Sequence, residues 1–291
     1  MNTKSVAVQL CCMLGTGMLA GCNSEASKVA PQSQQHAHRE KLPESGNGHG
    51  DHGKHGNHDA AAELIVRTEP SKPEAGKTTK LTLMVHSAMG KMISEFEETH
   101  TKLAHLIVVR KGLDEFAHLH PDVDAQGNLT VDYEFPQGGK YKLFLDHKPR
   151  GGTASTANAE LSVSGNSPEV SKLVANVPGE VLVNGLQAKV TLKQDGKSTV
   201  VAFDLRADAD KPLADLRPYL GAMGHLVVIS ADGEQYAHSH PLTDEPGTSR
   251  VEFEVHFPAA GLYKMWGQFQ RQDEIITVPA VVHFKVGEHA H

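Results

Sequence analysis

The stretch that decides the fold is His105-Leu-Ile-Val-Val-Arg110, which runs through Lys111-Gly-Leu-Asp114 and Glu115 into Phe116-Ala-His-Leu-His-Pro121. Four apolar or β-branched positions, a turn containing glycine and aspartate, and a second run in which histidines alternate with apolar residues describe a β-hairpin. A four-residue loop over Lys111–Asp114 pairs Arg110 with Glu115, and counting outward from that pair sets His105 opposite His120. Side chains alternate along a strand, so His118 and His120 share a face, and the cross-strand partner His105 shares it too. The expectation is three imidazoles about 5–8 Å apart by Cβ, close enough to converge on one ion. It depends on register, because a slip of one residue turns His105 to the opposite face.

The same hairpin occurs a second time. His225-Leu-Val-Val-Ile-Ser230 and Tyr236-Ala-His-Ser-His-Pro241 match the first copy at a constant separation of 120 residues, with Ala231-Asp-Gly-Glu234 as the turn. Further on, Phe135-Pro-Gln-Gly-Gly-Lys-Tyr-Lys142 matches Phe257-Pro-Ala-Ala-Gly-Leu-Tyr-Lys264 at a separation of 122, so the intervening loop has grown by two residues. The chain therefore carries a tandem repeat. Around each hairpin lie further short runs rich in Val, Leu, Thr, Phe and Tyr, broken by Gly, Pro, Asn and Asp. That pattern predicts an all-β protein of two tandem immunoglobulin-like antiparallel β-sandwich domains, over residues 63–166 and 167–288.

The N-terminal part reads differently. Met1-Asn-Thr-Lys4, an apolar run from Val6 to Leu19 and then Leu19-Ala-Gly-Cys22 predict a signal peptide over residues 1–21, too short in its apolar part to span a bilayer. Leu-Ala-Gly-Cys resembles the lipobox of bacterial lipoproteins, which implies lipidation of Cys22. Asn23 then favours the outer membrane, facing the periplasm, in a double-membraned cell. Cys11 and Cys12 fall within the leader, so the mature chain is expected to hold no disulfide and no thiolate metal site. Residues 22–62 are polar and glycine-rich, and read as a disordered tether. The tether carries His36, His38, His49, His52, His55 and His58, the last four spaced every third residue and suited to loose metal capture.

The net charge of −7, without a basic stripe, argues against nucleic acid as a partner. Histidine is the outstanding residue, at 19 of 291. The candidate metal ligands are His105, His118 and His120 with His100 in the first copy, and His225, His238 and His240 with Met223 in the second. Imidazole suits copper, zinc and nickel, while a thioether such as Met223 selects Cu(I). His147 and Met265 are accessory candidates, though Met223 and Met265 also suit plain packing. Trp266, the one tryptophan of the chain, is expected to anchor a core. His289 and His291 form a histidine tail.

Glu97-Glu-Thr-His100, His105-Leu-Ile-Val-Val, Phe116-Ala-His-Leu-His-Pro121 and Gly139-Lys-Tyr-Lys together resemble the YtkA-like type of bacterial secreted and lipid-anchored domains. The likeness spans residues 64–165 and is weaker in the second copy, where Leu220 aligns with His100. It implies an immunoglobulin-like fold near heavy-metal handling systems and supplies no catalytic residue. The sequence shows no phosphate loop and no Ser or Cys nucleophile motif, and Glu98, Asp114 and Glu234 read as strand-end or turn carboxylates. The expected function is therefore non-catalytic. It is an envelope lipoprotein, held to the membrane through Cys22, that binds a transition metal as buffer or carrier. The alternative is an adhesive or interaction module for another envelope protein, with structural histidines.

Overall fold

Alternation sets the layers. In the strand Thr78–His86 the side chains of Thr79, Leu81, Leu83 and Val85 are buried while those between them are more exposed, the period of a sheet with one face on a core. The computed structural model describes residues 62–195, 198–208 and 211–285. The leader, Cys22, the six tether histidines and the tail histidines His289 and His291 lie outside the described residues.

The first repeat forms β1 (Glu63–Glu69), β2 (Thr78–His86), β3 (Met92–Ile93), β4 (Ala104–Arg110), β5 (Phe116–Leu119), β6 (Asp122–Val123), β7 (Leu129–Glu134), β8 (Gly139–His147) and β9 (Ser155–Val163). They run in the order β5-β4-β8-β9-β1-β2-β7-β6. The β9–β1 link is a single parallel pair, Glu63 with Asn158, and there the sheet folds over into two layers. Leu81, Leu83 and Leu129 from one layer meet Leu106, Val108, Leu143 and Leu145 from the other in an apolar core.

The second repeat forms β10 (Gly179–Val183), β11 (Leu186–Asp195), β12 (Ser198–Asp208), β13 (Lys211–Pro212), β14 (Leu216–Arg217), β15 (His225–Ser230), β16 (Tyr236–Ser239), β17 (Arg250–Val255), β18 (Gly261–Arg271) and β19 (Glu274–Phe284). One sheet runs β10-β11-β12 with β17 on β12, and the other runs β14-β18-β15-β16 with β19 on β18. Val190, Val201, Phe203 and Phe253 pack against Leu226, Val228, Met265 and Phe269 between them. The described residues are thus all-β, in two tandem immunoglobulin-like sandwiches. Among the described residues no helix is long and apolar enough to cross a membrane, a statement that leaves β-barrels aside.

A third apolar cluster joins the sandwiches. Ile107, Val109, Leu113 and Phe144 of the first and Val227, Ile229 and Trp266 of the second are at most 4% exposed, although Leu113 lies in the hairpin turn and the others project from the outer faces of their sheets. Phe116 stacks on Trp266 at 4.7 Å between ring centroids, and Tyr236 stacks on Phe144 at 4.4 Å. At about 1.5–3 kcal/mol for each large side chain fully removed from water, these groups hold the two outer faces together strongly. The linker is fastened as well. The buried Arg110 guanidinium pairs with Asp114 and donates to the carbonyl oxygens of Gly138 and Pro168.

Candidate metal centre

The hairpin register places the histidines. β4 and β5 pair with Leu106 opposite Leu119 and Ile107 opposite His118, and Arg110 N–H donates to Glu115 O at 3.2 Å. The next pair outward is His105 with His120. Because Leu106 and Val108 enter the core, His105, Ile107 and Val109 point outward, along with Phe116, His118 and His120. β15 and β16 repeat this register, with Leu226 opposite Ser239 and Val227 opposite His238.

Since the outer faces are docked, the two sets of histidines meet. Within the first, ring centroids are 5.3 Å apart for His105–His118, 5.1 Å for His105–His120 and 4.8 Å for His118–His120. Within the second, His225–His238 are 5.5 Å apart, and His225–His240 and His238–His240 are each 4.9 Å apart. Across the boundary the separations are similar, 5.3 Å for His118–His238 and 6.2 Å for His105–His225. His100 joins from the first domain, stacked on His240 at 3.4 Å and 16°. It sits at φ 52° in a left-handed turn, a conformation that Leu220 adopts at the matched place in the second copy. In each triad one ligand-capable nitrogen per residue lies within 4.8 Å of the other two.

The hydrogen bonds fix which nitrogens are bare. His105 Nε2–H donates to Thr99 O at 2.9 Å and His225 Nε2–H to Tyr219 O at 2.9 Å, leaving Nδ1 unprotonated on each neutral ring. His118 Nδ1–H donates to Gln268 Oε1 at 2.7 Å and His238 Nδ1–H to Asp146 Oδ2 at 2.9 Å, leaving Nε2 unprotonated. Both last bonds cross between the domains. His105 Nδ1 and His118 Nε2 then face each other at 3.0 Å, a separation that either a shared proton or a metal ion held by both accommodates. His225 Nδ1, His120 Nε2, His238 Nε2 and His240 Nε2 are buried without any hydrogen-bond partner. Unpaired buried polar atoms each cost about 1–3 kcal/mol, and a ligand that accepts lone pairs removes that cost.

Electrostatics keep these rings neutral. Burial, with the neighbouring imidazoles adding to it, pushes His225 down to about 3, while burial and His105 push His120 down to about 4. Burial also holds His118, His238 and His240 well below the ordinary histidine range, and lowers His100 and His105. A neutral imidazole whose second nitrogen donates to a carbonyl or carboxylate is the form that coordinates a metal. The donor set fits a borderline ion such as zinc, Cu(II) or nickel, with three imidazoles on each side and further positions open.

Other candidates lie elsewhere. Met223 is fully buried in the apolar core of the second sandwich, so its place among the ligands is corrected: it packs. Met265 shares that core. His147 points inward from β8, bonded to Leu145 O and edge-on to Phe96, away from the other histidines. Trp266 anchors the interdomain cluster and not a sandwich core. Sequence reading missed Asp146 and Gln268, the groups behind His238 and His118. The repeat offset of 122 aligns these two positions, and each faces a triad histidine of its own domain in register, His105 with Asp146 and His225 with Gln268.

No curated protein matches the sequence. Among solved structures, chicken interferon gamma receptor alpha chain is similar at 10% identity, covering 77% of this chain and 98% of its own, with a TM-score of 0.25. A two-domain fibronectin type III segment from chicken tenascin gives 11% identity, 77% and 99% coverage and a TM-score of 0.22. Neither likeness bears on ligand or partner. The family match corrects the YtkA-like resemblance, which finds no support. The model of a domain of unknown function (DUF8832) matches residues 59–165 and again 182–286, and the chain belongs to that family, in two copies.

Proposed function

We propose that this protein binds transition metal ions, one per histidine triad, in a centre assembled where its two sandwiches meet, and serves as a buffer or carrier in the cell envelope. The observation that carries the reading is the set of four buried imidazole nitrogens with no partner, two of them, on His225 and His238, backed by a ring nitrogen already committed to Tyr219 O or Asp146 Oδ2. Zinc, Cu(II) and nickel suit such a set. In this proposal Cys22 carries the lipid anchor, and the tether histidines His49, His52, His55 and His58 gather ions for the folded centre. The role is binding, without catalysis.

A second reading has one observation in its favour. The bonds His118–Gln268 and His238–Asp146 tie the domains together, which suits an interaction module whose histidines act as staples. The test is calorimetric titration with Zn²⁺, Cu²⁺ and Ni²⁺, plus elemental analysis, on the full chain with the six tether histidines changed to serine. Saturable binding of two ions, abolished by His118→Ala with His238→Ala while the far-UV spectrum is kept, is the expected result. A folded protein that takes up no metal would leave the staple reading.

A further inference from the structure

We propose that the two triads are unequal sites, ranked by supports that cross between the domains, with Asp146 making the second triad the tighter one. The inference rests on the metal-binding reading above. Its main ground is the exchange of a carboxylate for an amide at matched positions of the repeat. Asp146 Oδ2 accepts from His238 Nδ1 at 2.9 Å and from the Tyr236 hydroxyl at 2.6 Å, while Oδ1 accepts from Thr156 Oγ1 at 2.6 Å. Gln268 occupies the same place behind the other triad. Its Oε1 accepts from His118 Nδ1 at 2.7 Å, and its Nε2 donates to Thr277 Oγ1 at 3.3 Å. Thr156 and Thr277 are themselves the cross-strand neighbours of Asp146 and Gln268, so the two supports share a plan and differ in carboxylate against amide and in the Tyr236 hydroxyl, which the matched Phe116 lacks.

The exchange has a direct consequence. A carboxylate behind an imidazole raises electron density at the opposite nitrogen and brings a full negative charge near the cation, whereas an amide brings only a dipole. His100 adds to the difference. It comes from the first domain yet stacks on His240, a ring of the second triad, and Leu220 at the matched place gives the first triad no counterpart. Both additions favour His225, His238 and His240, and both are delivered by the opposite domain. Asp146 and Gln268 are thus positioning residues. The tight site exists only while the sandwiches are docked.

The test uses Zn²⁺ titration and Cu²⁺ electron paramagnetic resonance on the full chain carrying serine at the six tether positions. Wild type should titrate in two steps separated by about 10–100-fold, the usual effect of such supports. With His118→Ala and His120→Ala only the tight step should remain, and adding Asp146→Asn should weaken it by about 10–100-fold. With His238→Ala and His240→Ala only the weak step should remain, and Gln268→Glu should tighten it and alter the copper hyperfine pattern. That gain keeps the idea testable if Asp146→Asn does not fold. Two equal steps, or a Gln268→Glu variant that folds and binds as before, would overturn the ranking and leave metal binding intact. No binding in the parent protein would remove both.

Discussion

Replacing Ile107 by alanine asks whether the two sandwiches are one body in solution. The side chain is fully buried, yet it points away from the core of its own domain and into the cluster with Val227, Ile229 and Trp266. Three carbons are lost, worth roughly 2.4 kcal/mol at about 0.8 per methylene. The cavity left between the sheets places the whole cost at about 2–5 kcal/mol. For a domain pair of this size each kcal/mol is about 2–4 °C in midpoint, so a fall of roughly 4–20 °C is expected. Were the domains undocked, position 107 would lie on an open sheet face, and the change would stay within about 0.5 kcal/mol. Urea unfolding gives the free energy and thermal unfolding the midpoint, each followed by fluorescence of Trp266 and by far-UV circular dichroism. A cost below about 0.5 kcal/mol, or fluorescence and dichroism midpoints that separate already in the unmutated chain, would refute the docked arrangement.

Two further outcomes follow from the same geometry. The metal-free protein should lose stability on acidification: the unfolded chain takes up protons below about 6.5, while the folded state keeps His225 neutral down to about 3. The contribution is complete above pH 6.5 and is lost as pH falls toward 3, at about 1.4 kcal/mol per pH unit for His225, with a smaller part from the more exposed His120. Urea midpoints at pH 7 and pH 5 give the sign, and a midpoint that rises on acidification would contradict it. Met223→Leu should cost less than about 1.5 kcal/mol and leave Cu²⁺ and Zn²⁺ affinities unchanged, since the position is core packing. A tenfold loss of affinity there would return the thioether to the centre.

How far the sequence reaches can be traced through the hairpin. Turn chemistry at Lys111–Asp114 and the His-x-His alternation were enough to place His105, His118 and His120 on one face, because register follows by counting from the loop. What counting cannot supply is the partner of that face. The sign was present in Leu-Ile-Val-Val and Leu-Val-Val-Ile, where apolar residues fill both sides of the strand and all are buried. A strand that is apolar on both faces needs cover on both, which one sandwich does not provide. The same holds for Trp266, whose size signals burial without saying which surface closes over it. Asp146 and Gln268 were out of reach because each acts on a histidine of the other copy, 92 and 150 residues away in the chain. Only the tertiary docking brings them together.

The reciprocity of the stacked pairs has an implication of its own. Phe116 on Trp266 and Tyr236 on Phe144 are the same contact made twice with the roles of the copies exchanged, which is the signature of an isologous interface. A single copy with such a face is self-complementary and suited to pairing with its twin about a two-fold axis. In a pair of identical chains, however, any substitution appears on both sides at once, so a carboxylate on one side and an amide on the other cannot coexist. Joining the copies in one chain breaks that constraint. The covalent link therefore does more than raise the local concentration of partners: it lets Asp146 and Gln268 differ and gives one face two distinct halves.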